Sequence, residues 1–219
     1  MNRDRAVTAL GAALFGSALV VAVSGCAGSA GQSAAGAGGI DAPGAIPAAD
    51  RPAPGPVVGQ GTVLQKDGEE VVFCLGAVME SYPPQCDGPE ISGWDWAEVE
   101  GAESASGVTW GTYAVQGTWD GTVFTVTHPP IMLALYDPMP VMDPFQDPAN
   151  AGASTDEELA SLQEELHNDD VVEALSSWPE NGYLFVHVIY DDGSAQAYFD
   201  ERYGKDVVQV RSALRDLEE

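Results

Sequence analysis

The 219-residue sequence predicts an α+β fold: a small antiparallel β-barrel or sandwich, then an extension made of a helix and a β-hairpin, all carried on a disordered N-terminal tether. Three observations predict it. Residues 57–128 alternate β-branched and aromatic side chains between Gly and Pro punctuation, which is strand patterning. Residues 27–56 are Ala, Gly, Ser and Pro with almost nothing to bury. Residues 154–166 open on a helix start signal and then place leucines at helical spacing.

Taken in chain order, the first element is an export signal over residues 1–25. Arg3 and Arg5 precede an apolar, uncharged run from Ala6 to Val23. The run is also about long enough to cross a bilayer, for which roughly 20 residues suffice, so length does not separate a signal from a retained helix. The residues that follow do. Val23-Ser24-Gly25-Cys26 is an aliphatic residue, two small residues and a cysteine, and it resembles the lipobox of bacterial lipoproteins. The resemblance implies that Cys26 is lipidated with a diacylglyceryl group and that the chain is cut before it. The mature protein would then sit on the extracytoplasmic face of the cell membrane. Two acyl chains are enough for stable anchoring, at about 0.8 kcal/mol per buried methylene. A retained helix would end in charged or aromatic anchors, whereas the next charge here is Asp41.

Residues 26–56 form the anchor and linker, a flexible coil with a reach of roughly 30 Å by square-root scaling. Export also orders the cysteines. Of the three, Cys26 is committed to lipid, which leaves Cys74 and Cys86 as an even pair in an oxidising compartment. They flank a segment containing Pro83-Pro84, a turn former that would bring them together as a disulfide. Zinc ligation would want closer-paired thiols or a nearby histidine, and a redox dithiol would want Cys-x-x-Cys. No metal site or cofactor is expected.

Within 57–128 the sequence predicts strands near residues 61–65, 71–78, 94–99, 109–118 and 122–127, with Asp120-Gly121 as a type I′ hairpin turn. Five short strands in so small a region suggest an OB-like barrel. Residues 129–153, with Asp-Pro at Asp137, Asp143 and Asp147, form a proline-rich connection with no regular structure expected. The C-terminal region, 154–219, begins with a helix capped by Ser154 and Glu157 and buries Leu159, Leu162 and Leu166 on one face. A short helix over 170–176 is expected next, then a hairpin of residues 183–190 and 194–199 around Asp192-Gly193, a third strand over 206–210 and a final helical turn over 212–217.

Charge narrows the function. Loss of Arg3, Asp4 and Arg5 with the signal takes the 8 basic and 34 acidic side chains to 6 and 33. Such a field repels phosphate backbones, so nucleic-acid binding is excluded. Gly-x-Ser-x-Gly, His-Glu-x-x-His, Walker and EF-hand motifs are all absent, and no catalytic residue is assigned. Trp94 and Trp96 in "SGWDW" would share one strand face, as a sugar-stacking platform or as core. Asp95, Glu98, Glu100 and Glu103 are candidate carboxylates for glycoside hydrolysis. Glu164 and His167 read as helix-end polarity, His187 as a half-buried strand residue, and Asp191-Asp192-Gly193 as a hairpin tip.

The stretches "FCLGAVMESYPPQC" and "ERYGKDVVQVRSALRDL" resemble exported proteins of actinobacteria-like bacteria, a resemblance that carries no activity with it. The expectation is a lipid-anchored, non-enzymatic binding or assembly module of the cell envelope, with an envelope protein or glycan as partner. A cell-wall hydrolase and an extracytoplasmic cation-binding protein are the alternatives.

Overall fold

The structure is a computed structural model that describes residues 51–138, 142–167 and 172–217. The segment read as an export signal, Cys26 and most of the segment read as a tether lie outside the described residues.

Strand β1 (Pro56–Lys66) is long because Val57, Val58, Val63 and Leu64 are all buried while Gln60 and Lys66 stay in solvent. It is followed by β2 (Val72–Cys74), β3 (Glu90–Ser92), β4 (Glu103–Ala105), β5 (Val108–Trp119) and β6 (Val123–Val126). The pairing closes on itself. β1 pairs β2, β2 pairs β3, β3 runs parallel to β6, β6 pairs β5, and β5 returns to β1 over eleven residue pairs. This closed five-strand barrel has a strand order of 1-2-3-6-5, with β4 added as a short hairpin on β5. Setting β4 aside, the connectivity is that of an OB-like barrel, as the strand count suggested. Closure removes the sheet edges that would otherwise be open to pairing with other chains. Inside it, Val63, Phe73, Ile91, Tyr113, Val115 and Phe124 form one apolar cluster, with Phe73 edge-on to Phe124 at 5.3 Å.

The Cys74–Cys86 disulfide is present, with Cα atoms 5.9 Å apart. It closes the β2–β3 connection at the barrel wall, where Cys74 packs against Leu64 and Trp110.

Several local expectations are corrected. Residues 94–99 are not a strand: Asp95 accepts a hydrogen bond from the Ala97 amide at 2.8 Å and starts a 3-10 turn over Trp96–Glu98. An Asx cap of this kind competes directly with the sheet ladder. The Asp120-Gly121 hairpin forms, yet only Gly121 has positive φ, because the Asp120 carboxylate is taken up by the Thr122 and Val123 amides at 2.8 and 2.7 Å. The pair of positive φ values that a type I′ turn needs occurs instead at Ser106-Gly107 and Asn181-Gly182.

Past the barrel, β7 (Ile131–Met132) adds to β5, and the proline-rich connection makes 3-10 turns rather than irregular coil. Two of them repeat one device: Asp143 and Asp147 each cap a turn whose first residue is the following proline. Proline suits that position, since its fixed φ is already helical and the missing N–H would have had no partner.

Helix α1 (Asp156–His167) starts one residue later than expected. Thr155, not Ser154, pairs with Glu158, each bonding the other's amide at 3.3 and 2.9 Å. Leu159 is buried as expected, with Leu162 and Leu166 packed beside it. The helix expected over 170–176 is not found in its described part: residues 172–175 are non-helical, and Ser176 begins β8 (Ser176–Glu180). The hairpin is therefore β8 with β9 (Tyr183–Val188), and residues 194–199 belong to helix α2 (Ser194–Tyr203). Strand β10 (Val208–Ser212) lies parallel to β9, so β9, α2 and β10 make a βαβ unit.

The last described element is β11 (Arg215–Asp216), not a helical turn, and it pairs with β1 at Val57 and Val58. The barrel and the C-terminal region thus share a sheet and belong to one compact unit. Residues 51–55, read as tether, also lie against the barrel, the Ala53 amide bonding the Trp119 carbonyl at 2.9 Å.

The C-terminal sheet is covered on both faces. Leu184, Val186 and Val188 of β9 pack with Leu159 of α1 and with Ala195 and Phe199 of α2. On the opposite face Phe185 stacks on Trp178 at 5.4 Å, and the Arg211 guanidinium lies over Phe185 and Phe145. Residues 142–152 are strapped down there by Asp143 to Arg211, by Asn181 to the Phe145 and Asp147 carbonyls, and by Tyr183 to the Asn150 carbonyl. Gly152 and Gly182 meet backbone to backbone, and a Cβ on either would fall within 2.6 Å of the other's carbonyl oxygen.

Candidate functional site

The best-formed concavity is a cleft of about 370 Å³ where the C-terminal layer meets the barrel. Its barrel wall comes from Asp87, Gly88 and Pro89, which enter β3, and from Trp119, Gly121 and Thr122 at the β5–β6 turn. The opposite wall is Leu175 before β8, then Val188, Ile189 and Tyr190 at the end of β9, and Asp191 to Ala195 leading into α2.

The topology explains why this wall is well placed. A parallel βαβ unit leaves the crevice beyond the carboxyl ends of its strands open, and the α2 start sits at that end of β9. Here the barrel occupies part of that crevice. The α2 start is not free to hold a ligand, because Asp191 Oδ1 accepts from the Gly193 and Ala195 amides at 3.0 and 2.9 Å. Asp192 accepts from the Ser194 amide and pairs with Arg51 at 3.1 Å. The "hairpin tip" is thus a helix cap whose second carboxylate ties the chain ahead of β1 to the C-terminal layer. Hydrogen bonds from Ser194 and the Arg51 charge outweigh burial and hold the Asp192 carboxyl below its ordinary range.

The floor is apolar: Trp119, Leu175, Val188 and Ile189 line it. Trp119 is 3% exposed, and its indole N–H is buried with no hydrogen-bond partner among the described residues. Tyr190 donates to Asp216 at 3.1 Å, and burial together with the Asp216, Asp192 and Asp191 carboxylates pushes its phenol up to about 12. It therefore remains a neutral hydroxyl at any physiological pH. Asp87 and Glu173 stand exposed at the rim. The arrangement offers an apolar surface and an acidic edge. The Ser194 side chain bonds the Asp192 carboxylate at its edge, and Arg51 pairs with the same carboxylate.

The residues singled out from sequence lie elsewhere. Trp94 and Trp96 are half-buried and meet edge-to-face at 5.3 Å. Trp94 packs on Tyr113 at 5.0 Å, and the Trp96 indole donates to Gln65 at 2.8 Å. Both are packed against the barrel core, and their rings are not coplanar as a stacking platform would have them. None of Asp95, Glu98, Glu100 and Glu103 lines the cleft. His187 is half-buried in β9, and burial lowers its pKa. Among the described residues no group of three or more His, Cys, Asp or Glu side chains is placed to hold a metal ion. No helix there is long and apolar enough to cross a membrane.

Sequence reasoning missed the cleft because its parts come from residues 51, 87–89, 119–122, 172–175 and 188–195, which only the tertiary fold brings together. One signal was available: Trp119 immediately before a hairpin turn is a large aromatic where turns are ordinarily polar.

Fold and site together define a disulfide-stapled OB-like barrel joined to a βαβ layer, with a cleft at the junction. No protein-family model matches the chain, and no curated protein or solved structure is significantly similar to it.

Proposed function

We propose that the protein is a lipid-anchored extracytoplasmic module that binds a component of the cell envelope without transforming it. The observation that carries this reading is the cleft: a preformed, largely apolar recess at a junction of two layers, with few polar groups converging on it, is the usual form of a small-ligand site. Its barrel wall is built from the β5–β6 turn, which corresponds to one of the loops through which OB-like barrels bind oligosaccharides and oligonucleotides. The strong negative charge disfavours the second of these. An uncharged glycan or an envelope peptide fits both the apolar floor and the acidic edge. The lipobox supplies the anchor in this reading, and the tether holds the cleft away from the bilayer.

Tryptophan fluorescence tests it, because Trp119 lines the cleft. Soluble cell-wall glycan fragments and short envelope peptides are titrated into the protein, into W119F and into L175W, which fills the floor. A saturable signal present in wild type and lost in L175W with an unchanged melting temperature is expected. No saturable signal with either probe class, or one indifferent to L175W, would overturn the reading.

A further inference from the structure

A second surface is the loop that the disulfide closes. Between Cys74 and Cys86 the chain leaves the barrel wall and exposes an unbroken run from Ala77 to Tyr82, with Met79 63% and Tyr82 74% exposed. Large apolar side chains in so short an exposed run are unusual unless they meet a partner. The run is nevertheless tied at every level. The Met79 amide bonds the Gln85 carbonyl at 2.9 Å, forming a bridge across the loop. Inside that bridge the Ser81 amide bonds the Met79 carbonyl at 2.8 Å, the Ser81 hydroxyl bonds the Pro83 carbonyl at 2.9 Å, and the Gln85 amide group donates to the Ser81 hydroxyl at 3.3 Å. Tyr82 meets Trp110 of the barrel wall edge-to-face, and Leu75 at the loop's stem is buried.

We propose that this loop is an inhibitory loop for a serine endopeptidase whose primary pocket accepts a carboxylate, with Glu80 as the residue that enters the pocket and Glu80–Ser81 as the peptide bond presented. Endopeptidases take their substrates as short exposed segments that pair with an edge of the enzyme, reading side chains on both sides of the bond. Met79, Glu80, Ser81 and Tyr82 supply such a segment, all solvent-facing. Glu80 is exposed next to the bridged Met79, and its carboxylate makes no hydrogen bond or ion pair among the described residues.

A flexible segment of this kind would be a substrate. A tied one is an inhibitor, for two physical reasons. The loop has already lost the conformational freedom that a peptide gives up on binding, so more of its contact energy appears as affinity. The second reason is chemical. When the enzyme's serine oxygen attacks the Glu80 carbonyl, the Glu80–Ser81 bond breaks, an ester forms and the Ser81 amine takes up a proton. On a free peptide that amine departs. Here the Ser81 side chain bonds to Pro83 and Gln85, and the disulfide and the Met79–Gln85 bridge hold both ends, so the amine stays beside the ester. It attacks the ester carbonyl, re-forms the peptide bond and returns the serine oxygen with its proton. A held amine has an effective concentration far above that of a free one, and ligation competes with hydrolysis.

The experiment uses the chain from residue 27 onward with its disulfide formed, a Glu-selective serine endopeptidase, a Lys-selective one, and the E80K and E80A variants. Wild type should inhibit the Glu-selective enzyme and leave the Lys-selective one at least 100-fold less affected, while remaining mostly uncut over hours. E80K should reverse that preference, and E80A should lose at least 100-fold against the Glu-selective enzyme. All three should melt together, since Glu80 is exposed. Rapid cutting at Glu80–Ser81 with no lasting inhibition would overturn the proposal, as would inhibition indifferent to position 80 or no inhibition at all.

Discussion

Arg211 and Asp143 join the C-terminal sheet to the proline-rich strap, and removing the Asp143 charge isolates what that join is worth. The Arg211 guanidinium meets both Asp143 oxygens, one of them at 2.9 Å, and also lies 5.6 and 5.2 Å from the Phe145 and Phe185 ring centres. The two side chains are 31% and 17% exposed, so water screens the pair only in part. Hydrogen bonds to charged groups contribute about 1.5–3 kcal/mol net. Breaking a fully buried pair costs about 3–5 kcal/mol, which sets an upper bound that this half-wet pair should not reach. Asp143→Asn keeps the shape and the bond from the Phe145 amide, so its expected cost is about 2 kcal/mol. For a chain of this size each kcal/mol moves the melting temperature by roughly 2–4 °C. A fall of about 4–8 °C at pH 7 is therefore expected by calorimetry or circular dichroism.

The pH dependence gives a separate check. The hydrogen bond from Arg211 is the main reason that the Asp143 carboxyl is held below its ordinary value, with the Phe145 amide assisting and burial opposing. A depressed carboxyl stabilises the fold fully above the unfolded value, near 4, and loses that contribution as pH falls through the folded value. The gap between wild type and Asp143→Asn should therefore narrow steadily below pH 4. A gap under 1 °C at pH 7, or one that stays constant down to pH 2, would refute the assignment of the strap to this ion pair.

Other outcomes follow from the same structure. Replacing Cys74 and Cys86 together by Ala should cost about 3 kcal/mol by the chain-entropy estimate for a loop of this length, read as a lower urea midpoint with the m-value checked for change. Thr155→Ala removes one half of the α1 capping box and should cost about 1 kcal/mol, whereas Ser154→Ala should be near neutral in the same urea titration. Phe199→Ala empties a fully buried site between α2 and β9 and should cost about 3–5 kcal/mol, enough to lower the calorimetric midpoint by 6 °C or more, by roughly the same scaling. Burial lowers the pKa of His187 in the folded chain. Since the unfolded chain binds that proton first, wild-type stability should fall as pH drops below about 6.5, and His187→Gln should flatten that slope in melts between pH 5 and 7. For the anchor, Cys26→Ser should leave the protein in the aqueous phase of a detergent partition while wild type enters the detergent phase.

The parts of this protein legible in its sequence are those decided within a few residues. The β-branched and aromatic residues around 61–65 and 109–118, set between Gly and Pro punctuation, marked barrel strands. The even cysteine pair marked its disulfide, and Leu159, Leu162 and Leu166 marked the buried face of α1. Local reasoning failed where two local solutions compete. "SGWDW" alternates like a strand, but the Asp95 carboxylate offers the next amides a bond that the ladder would otherwise supply, and the 3-10 turn wins. "SAQAYF" follows Asp-Gly as a returning strand would, but Asp191 caps the amides beyond it, and Ala195 and Phe199 meet the sheet only as a helix.

The cleft was beyond the reach of sequence for a different reason. Trp119, Leu175 and Tyr190 are ordinary core-forming side chains in separate elements, and nothing in their own neighbourhoods says that they will face a common space. That was decided when β11 returned to pair with β1 and Arg51 met Asp192, contacts between residues more than 100 positions apart in the chain. Short-range preferences determined which segments become strands, turns and helices. Burial of each layer's remaining apolar face, a demand no segment can satisfy alone, decided where the segments lie and left the cleft between them.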